Sequence, residues 1–400
     1  CTTARIALLL ERSYTSTGPV SARLELAERA VEAARAASDP GGLGRALLAR
    51  ARARIDAGRI EAAEHDLRDA EHHAALAGDD PLRGHVSTRV GAIRLNQGRL
   101  DEAEARFAEA LAIHRAAADR VGEADGVANL GAVAVSRGAH EQAIHWLLEA
   151  LPLQLAVGNR IHAAKVMGML GNAHLQLGRP ELALGWYQRG LEVHTAAGHL
   201  PGVLRMTANV ALVALELGRV DEATRTFRQV IDDAVELGEP LVEGIARENL
   251  ARCLLAVGEV REAEEQAASA VQGLRALNAG RYVAMARLAL ALTALTVGDR
   301  TRARSVLDTA LAECRAASDQ WFEGFVLGYR ALTTDDPGSA SADLDRAGAT
   351  VTDAGFVVAA RWAWAAVHGP PDGRSAARDA LAAARGSTEI DAVRRWALGR

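Results

Sequence analysis

Glycine recurs at forty-residue intervals along this chain, at Gly18, Gly58, Gly98, Gly138, Gly178, Gly218, Gly258, Gly298 and Gly338, with no interval missed. A period of this size, kept over most of 400 residues, marks a repeat array in which each unit packs only on its neighbours. Five positions after seven of these glycines stands alanine: Ala63, Ala103, Ala143, Ala183, Ala223, Ala263 and Ala303. Twelve positions after them a small residue is usual, as at Ala70, Ala110, Ala150, Gly190, Ala270 and Ala310. Small residues seven apart share one face of a helix. Upstream of the glycines, Leu130, Val133 and Ala134, or Leu170, Ala173 and Leu177, fall at three- and four-residue spacing, which is the helical period. Each unit therefore reads helix, turn, helix.

The turn needs glycine because the first helix must stop and reverse within a few residues, which usually takes a left-handed backbone just beyond its last turn. The alanines let the second helix approach the first closely, where larger side chains would hold the axes apart. A second reversal is expected twenty residues later, at Gly78, Gly158, Gly198, Gly238 and, in the same phase, Asn278. Asp101, Glu102, Asp221, Glu222 and Glu262 follow ladder glycines, where acidic side chains complement the positive end of the second helix.

Composition narrows the partners. The chain is 49% hydrophobic but only 4% aromatic, so its core must be built mainly from Ala, Leu and Val. A formal charge of −5 supplies no basic field for nucleic acid or an anionic membrane, and neither is expected as a partner. Lys165 is the sole lysine among 46 basic residues, a bias that points to a GC-rich bacterial genome. Cys1, Cys253 and Cys314 show no metal-ligand spacing and form no even-numbered disulfide framework, so a reducing, cytoplasmic compartment is expected. Cys1 resembles the lipidated first residue of a lipoprotein, but helical sequence starts at about Ala4 with no polar tether, which favours a cut from a longer chain. The most apolar stretch, Val283 to Gly298, contains Arg287 and reads as a buried helix.

Leu170, Gly171 and Asn172, then Leu177, Gly178 and Arg179, then Ala183, Trp186, Tyr187 and Leu191 resemble the tetratricopeptide consensus drawn out to forty residues. The likeness covers about residues 1 to 350 and implies an all-α, right-handed superhelical solenoid of about nine helix-turn-helix units. Its Ala- and Arg-rich style is most similar to the C-terminal sensor arrays of large bacterial ATP-dependent regulators and kinases. The expected organisation is an N-terminal repeat or cap over 1–40, regular repeats over 41–332 and a divergent C-terminal repeat and cap over 333–400. Both ends depart from the pattern, with Arg23 in the alanine phase and Asp343 at the small-residue position. Trp321, Trp362, Trp364 and Trp396 crowd the C-terminal end, where filling of the cap's core is the favoured reading over a binding patch.

In such solenoids the first helices line a concave groove, so the resemblance implies that residues thirteen, nine, six and two positions before each glycine face a ligand. The candidates this picks out for peptide binding are Arg89, Asn96, Asn129, Lys165, Asn172, Arg205, Asn209, Asn249 and Arg252, beside further polar residues such as Asp56, His85 and Asp125. Five of the seven asparagines fall on this face, the other two being Asn159 and Asn278. An asparagine amide both donates and accepts, so a row of them can grip the main chain of an extended peptide whatever its sequence. The face is mildly positive, which favours an acidic or carboxylate-bearing segment. No metal or cofactor is expected: His72 with His73, His140 with His145, and His162 with His174 lack ligand partners at consistent spacing. The function expected is a non-catalytic peptide- or protein-binding module, a sensor or scaffold in a signalling or transcription-regulatory protein. The alternatives are a lipoprotein-anchored scaffold, or a helical toroid enzyme using Asp125, Glu216 and Glu248, which lacks paired carboxylates at one depth.

Overall fold

The computed structural model describes residues 20–277, 279–316, 319–350, 354–369 and 371–383, together with Val393, Arg394 and Ala397. Gly18, Asn278, Cys1 with the sequence up to residue 19, and Trp396 lie outside the described residues, as does the side chain of Trp321.

Among the described residues the chain is helical without strands. The helices are α1 (Val20–Ala36), α2 (Pro40–Asp56), α3 (Ile60–Ala77), α4 (Asp80–Asn96), α5 (Leu100–Ala116), α6 (Arg120–Ser136), α7 (His140–Ala156), α8 (Arg160–Gln176), α9 (Pro180–Ala196) and α10 (Leu200–Glu216). There follow α11 (Val220–Leu237), α12 (Pro240–Ala256), α13 (Val260–Ala276), α14 (Gly280–Val297), α15 (Arg300–Ala316), α16 (Gln320–Ala331), α17 (Pro337–Thr350), α18 (Ala354–His368) and α19 (Pro371–Ala383). They form two compact units, residues 1–133 with 148–158, and residues 134–147 with 159–400. Within each unit a helix packs mainly on the next in sequence, and first helices of successive repeats also touch: α2 with α4 in the first unit, and α8 with α10, α10 with α12 and α12 with α14 in the second.

The reversals are where the glycine spacing places them. Gly58, Gly98, Gly138, Gly178, Gly218, Gly258 and Gly298 all have positive φ, as do Gly78, Gly158, Gly198 and Gly238. At Gly178 the closure is explicit: its N–H donates to the Leu175 carbonyl at 2.9 Å, and the Arg179 N–H donates to the His174 carbonyl at 2.9 Å. This pair of bonds satisfies the last open carbonyls of the helix. In the phase of the second reversal, Ser38 and Ala118 adopt φ of 49° and 53° without being glycine. Geometry of the turn overrides residue preference there, at a conformational cost of about 1–2 kcal/mol for Ala118.

Gly338 departs from expectation. It is the second residue of α17 rather than a turn residue, because α16 stops at Ala331 and the reversal is taken over residues 332–336. Asp336 opens α17 by accepting the Ser339 N–H at 2.9 Å.

The alanines do what close packing requires: Ala63, Ala103, Ala143, Ala183, Ala223, Ala263 and Ala303 are fully buried. First helices also contribute glycine where an aromatic ring arrives from the second helix, since a Cβ on Gly171 would lie 2.4 Å from Tyr187 Cε1. Several first helices start on an aspartate, Asp39, Asp79, Asp119 or Asp319, whose carboxylate accepts a first-turn N–H.

The polar residues that break the pattern are absorbed by ion pairs. Arg23, in the alanine phase, is buried and donates to Asp56 at 2.6 Å. Asp343, in a small-residue phase, is buried and accepts from Arg330 Nε at 2.9 Å. α14 is long and apolar enough to span a membrane, yet half of it is buried in the second unit's core, and its Arg287 donates to Glu313 at 2.7 Å. Trp362 and Trp364 pack against the same core, and Trp364 Nε1 donates to the Thr334 carbonyl at 2.9 Å. Cys253 and Cys314 are free, buried thiols whose pKa values burial pushes up to about 11 and about 12.

Relief of the strained turn is measurable: Ala118→Gly should raise the unfolding free energy by about 1 kcal/mol, while Gly178→Ala should lower it by about 1–2 kcal/mol. Denaturant midpoints of the two variants should move in opposite directions from the parent, and movement in the same direction contradicts the assignment of these turns.

Candidate functional site

In the second unit, α8 and α10 each carry a cation thirteen residues before the glycine, Lys165 and Arg205, and both are exposed. Between them and the core lies an unusual pair. His194, near the end of α9, is fully buried, and neither Nδ1 nor Nε2 makes a hydrogen bond. Its ring fits because residue 202 is glycine: a Cβ there would lie 2.3 Å from Nδ1. His199 stacks on it with ring centroids 5.0 Å apart. His199 also caps α10, its Nδ1 accepting the Gly202 N–H at 3.0 Å, so the neutral ring carries its proton on Nε2.

Burial drives the His194 pKa down to about 4, aided by His199, Arg205 and Lys165. His199 is lowered by its own desolvation and then by Arg205 and Lys165. Both imidazoles are thus neutral at pH 7, and the positive charge of this face belongs to Lys165 and Arg205.

The asparagines differ in what remains to offer a ligand. Asn172 is exposed and its Oδ1 accepts the Tyr187 hydroxyl at 2.6 Å, which commits the acceptor end and leaves the amide hydrogens. Asn209 is half-buried. Asn249, expected on the groove, is 95% buried: its amide donates to the Ile245 carbonyl at 2.9 Å and its Oδ1 accepts from Arg252 at 3.2 Å. Arg252 also lies 3.8 Å from Glu216. These three residues form an internal network, and packing of α12 on its neighbours takes Asn249 out of the exposed row.

In the first unit Asn96 is exposed at the end of α4, while Arg89 and Asn129 are half-buried. Asp125 accepts from the Gln154 amide at 2.8 Å. His85 lies against the buried His114, ring centroids 4.9 Å apart, with Asp119 beside both. The histidine pairs singled out by adjacency in sequence are elsewhere; His72 and His73 touch edge to face at 5.5 Å, and His162 meets Asn159.

One signal would have located these clusters. Sixteen residues after successive glycines stand Ala74, His114, Gln154, His194, Ala234 and Leu274, so three consecutive repeats place a polar residue at an otherwise apolar core position. His114 meets His85 and Gln154 donates to Asp125, each partner standing thirteen before the glycine of the same repeat, while Lys165, in that phase of the next repeat, acts on His194 through its charge. Of the carboxylates considered for catalysis, Asp125 is bonded to Gln154, Glu216 lies near Arg252, and Glu248 is buried in α12.

A tetratricopeptide repeat family model matches residues 84–156, 125–196 and 162–234. No curated protein matches the sequence. Among solved structures the chain is similar to a Rap protein complexed with competence and sporulation factor, at 14% identity and a TM-score of 0.61 over 89% of this chain and 94% of that one. It is similar to NprR in complex with its cognate peptide NprX, at 13% identity and a TM-score of 0.58 over 84% and 94%. It is also similar to aspartyl phosphate phosphatase F from Bacillus subtilis, at 14% identity and a TM-score of 0.53 over 90% and 94%. At these identities the likeness is one of fold.

The buried imidazole has a pH signature. The unfolded chain protonates His194 near its ordinary 6.5, the folded chain only near 4, so this residue's effect is flat above pH 6.5 and stability falls as pH drops from 6.5 toward 4. The loss attributable to His194 should reach about 2–3 kcal/mol at the acid end. Unfolding measured from pH 7 to pH 4.5 should fall less steeply in His194→Gln than in the parent; parallel curves would refute the role.

Proposed function

We propose, from the tetratricopeptide repeats matched over residues 84–234, that the chain is a non-catalytic module holding an extended, acidic peptide or protein segment along the first helices of the second unit. The observation that carries this reading is the pair of exposed cations, Lys165 and Arg205, on consecutive first helices. Guanidinium and ammonium groups at one repeat spacing suit two carboxylates of an extended ligand, or a side-chain carboxylate and a chain terminus. Asn172 supplies an amide donor for the ligand's main chain, with Asn209 beside it on the next repeat. In the same phase the chain continues with Ile245 and Met285, both half-buried, which suits a ligand whose acidic stretch runs into an apolar one. In the first unit Arg89, Asn96 and Asn129 are the corresponding contacts, while Asn249 and Arg252 stiffen α12 and act through its position.

Two structural neighbours are complexes, one with competence and sporulation factor and the other with the cognate peptide NprX, which supports the reading at the level of fold. The setting proposed is a cytoplasmic bacterial regulator in which this array is the sensor or scaffold, with no role for nucleic acid or membrane binding in the module itself.

The charge contact is testable with a fluorescent library of extended acidic peptides. Lys165→Glu with Arg205→Glu should weaken the best binder by at least ~10-fold, since each lost charge-assisted bond is worth about 1.5–3 kcal/mol. Affinity of the parent should fall with added salt. Equal binding by the parent and a folded double variant rejects this face.

A further inference from the structure

We infer that His85, His114 and Asp119, in the first unit, form a site for a divalent transition metal of the zinc class, with a fourth position open to water or an anionic ligand. Their nearest ligand atoms all lie within 4.8 Å of one another. His114 Nδ1 is 2.9 Å from Asp119 Oδ2, and His85 Nε2 is 3.8 Å from the same oxygen. Tetrahedral zinc with ligand bonds near 2.0 Å holds its ligand atoms about 3.3 Å apart, so small side-chain rotations bring this set to the required geometry.

Three features single this cluster out from a chance meeting of polar groups. The His114 side chain is 99% buried, yet its Nδ1 makes no aligned hydrogen bond despite the nearby carboxylate. Close approach without hydrogen-bond alignment is what two donors directed at a common point produce. The ring is also held from both sides: a Cβ on Gly84 would lie 2.9 Å from its Cε1, and one on Gly122 would lie 2.2 Å from its Nδ1. The carboxylate is oriented in turn, because Asp119 Oδ1 accepts the Gly122 N–H at 3.0 Å while Oδ2 faces the imidazoles. A supporting bond of this kind, fixing a ligand through its other atom, is the usual companion of a metal site.

Two imidazole nitrogens and one carboxylate leave a bound divalent ion with one net positive charge. Arg52 and Arg89 are close enough to act on His85 and add to it, which favours an anion at the fourth position. Nitrogen and oxygen donors in this ratio select zinc, cobalt or nickel over magnesium or calcium.

The 400-residue protein, stripped with chelator, is titrated with Co²⁺ and then Zn²⁺. One equivalent of Co²⁺ should produce the intense visible band of a tetrahedral complex, and Zn²⁺ should displace it. His85→Ala and Asp119→Asn should each weaken Zn²⁺ binding by at least ~10-fold, the asparagine retaining the helix cap. His72→Ala with His73→Ala should bind like the parent. Absence of a tetrahedral cobalt band in the folded parent, undiminished affinity in the ligand variants, or loss of binding on changing His72 and His73 would each overturn the assignment.

Discussion

A left-handed residue just past the helix end, found after every helix from α1 to α12 and again after α14, is the constraint on which the rest of this molecule depends. Each α-helix leaves its last carbonyls without partners, and the two bonds made across Gly178, from its own N–H and from that of Arg179, satisfy them while turning the chain back. The reversal is tight, so the returning helix starts almost in contact with the one just ended. Alanine at the fifth position after the glycine is then a requirement, because a larger side chain there would force apart the axes that the turn has brought together. Shared turn geometry thus dictates shared core volume, repeat after repeat, and a core poor in aromatic residues becomes the natural product of short turns.

This coupling explains why the fold was legible in the sequence. Glycine and alanine report backbone conformation and interhelical distance, the two quantities that repeat exactly. The exceptions are instructive. Ser38 and Ala118 take the left-handed conformation with no glycine to announce it, because the helices on either side leave no other path. Gly338 keeps the forty-residue spacing but sits inside α17, since α16 ends at Ala331, seven residues before it. A residue type records an allowed conformation; the neighbouring repeat decides whether it is used. Where that neighbour's pattern degrades, Asp343 stands in a small-residue phase, and burial against Arg330 replaces alanine packing by charge pairing.

The candidate sites were only half legible, for a related reason. Phase along a first helix locates a residue on a face but not the depth to which its neighbour covers it. Asn172 and Asn249 both meet the rule for the ligand-facing side, yet one is exposed and the other has both ends of its amide bonded inside α12 and its surroundings. Nor does adjacency in sequence find the imidazole clusters. His114 meets His85 within its own repeat and Asp119 just past the next turn, and only the comparison of equivalent core positions, His114 and Gln154 against Ala74 and Ala234, exposes them.

Those polar core positions bear on the charge of the face that carries Lys165 and Arg205. A histidine that titrated near neutrality beside Lys165 and Arg205 would add charge in mild acid and broaden the range of anions held. Burying His194 in the gap left by Gly202 removes that option, because an imidazolium there would lose its water and face two cations as well. The ring therefore remains a neutral spacer through the physiological range, and the charge of the face is set by two permanent cations at a fixed repeat spacing. In the first unit the equivalent gap beside Gly122 holds His114, but there the nearest charge is the Asp119 carboxylate rather than a cation, so the same buried imidazole becomes a donor set. One structural device, a histidine seated over a helix-start glycine, is thus turned toward anions or toward cations by the sign of a single neighbour.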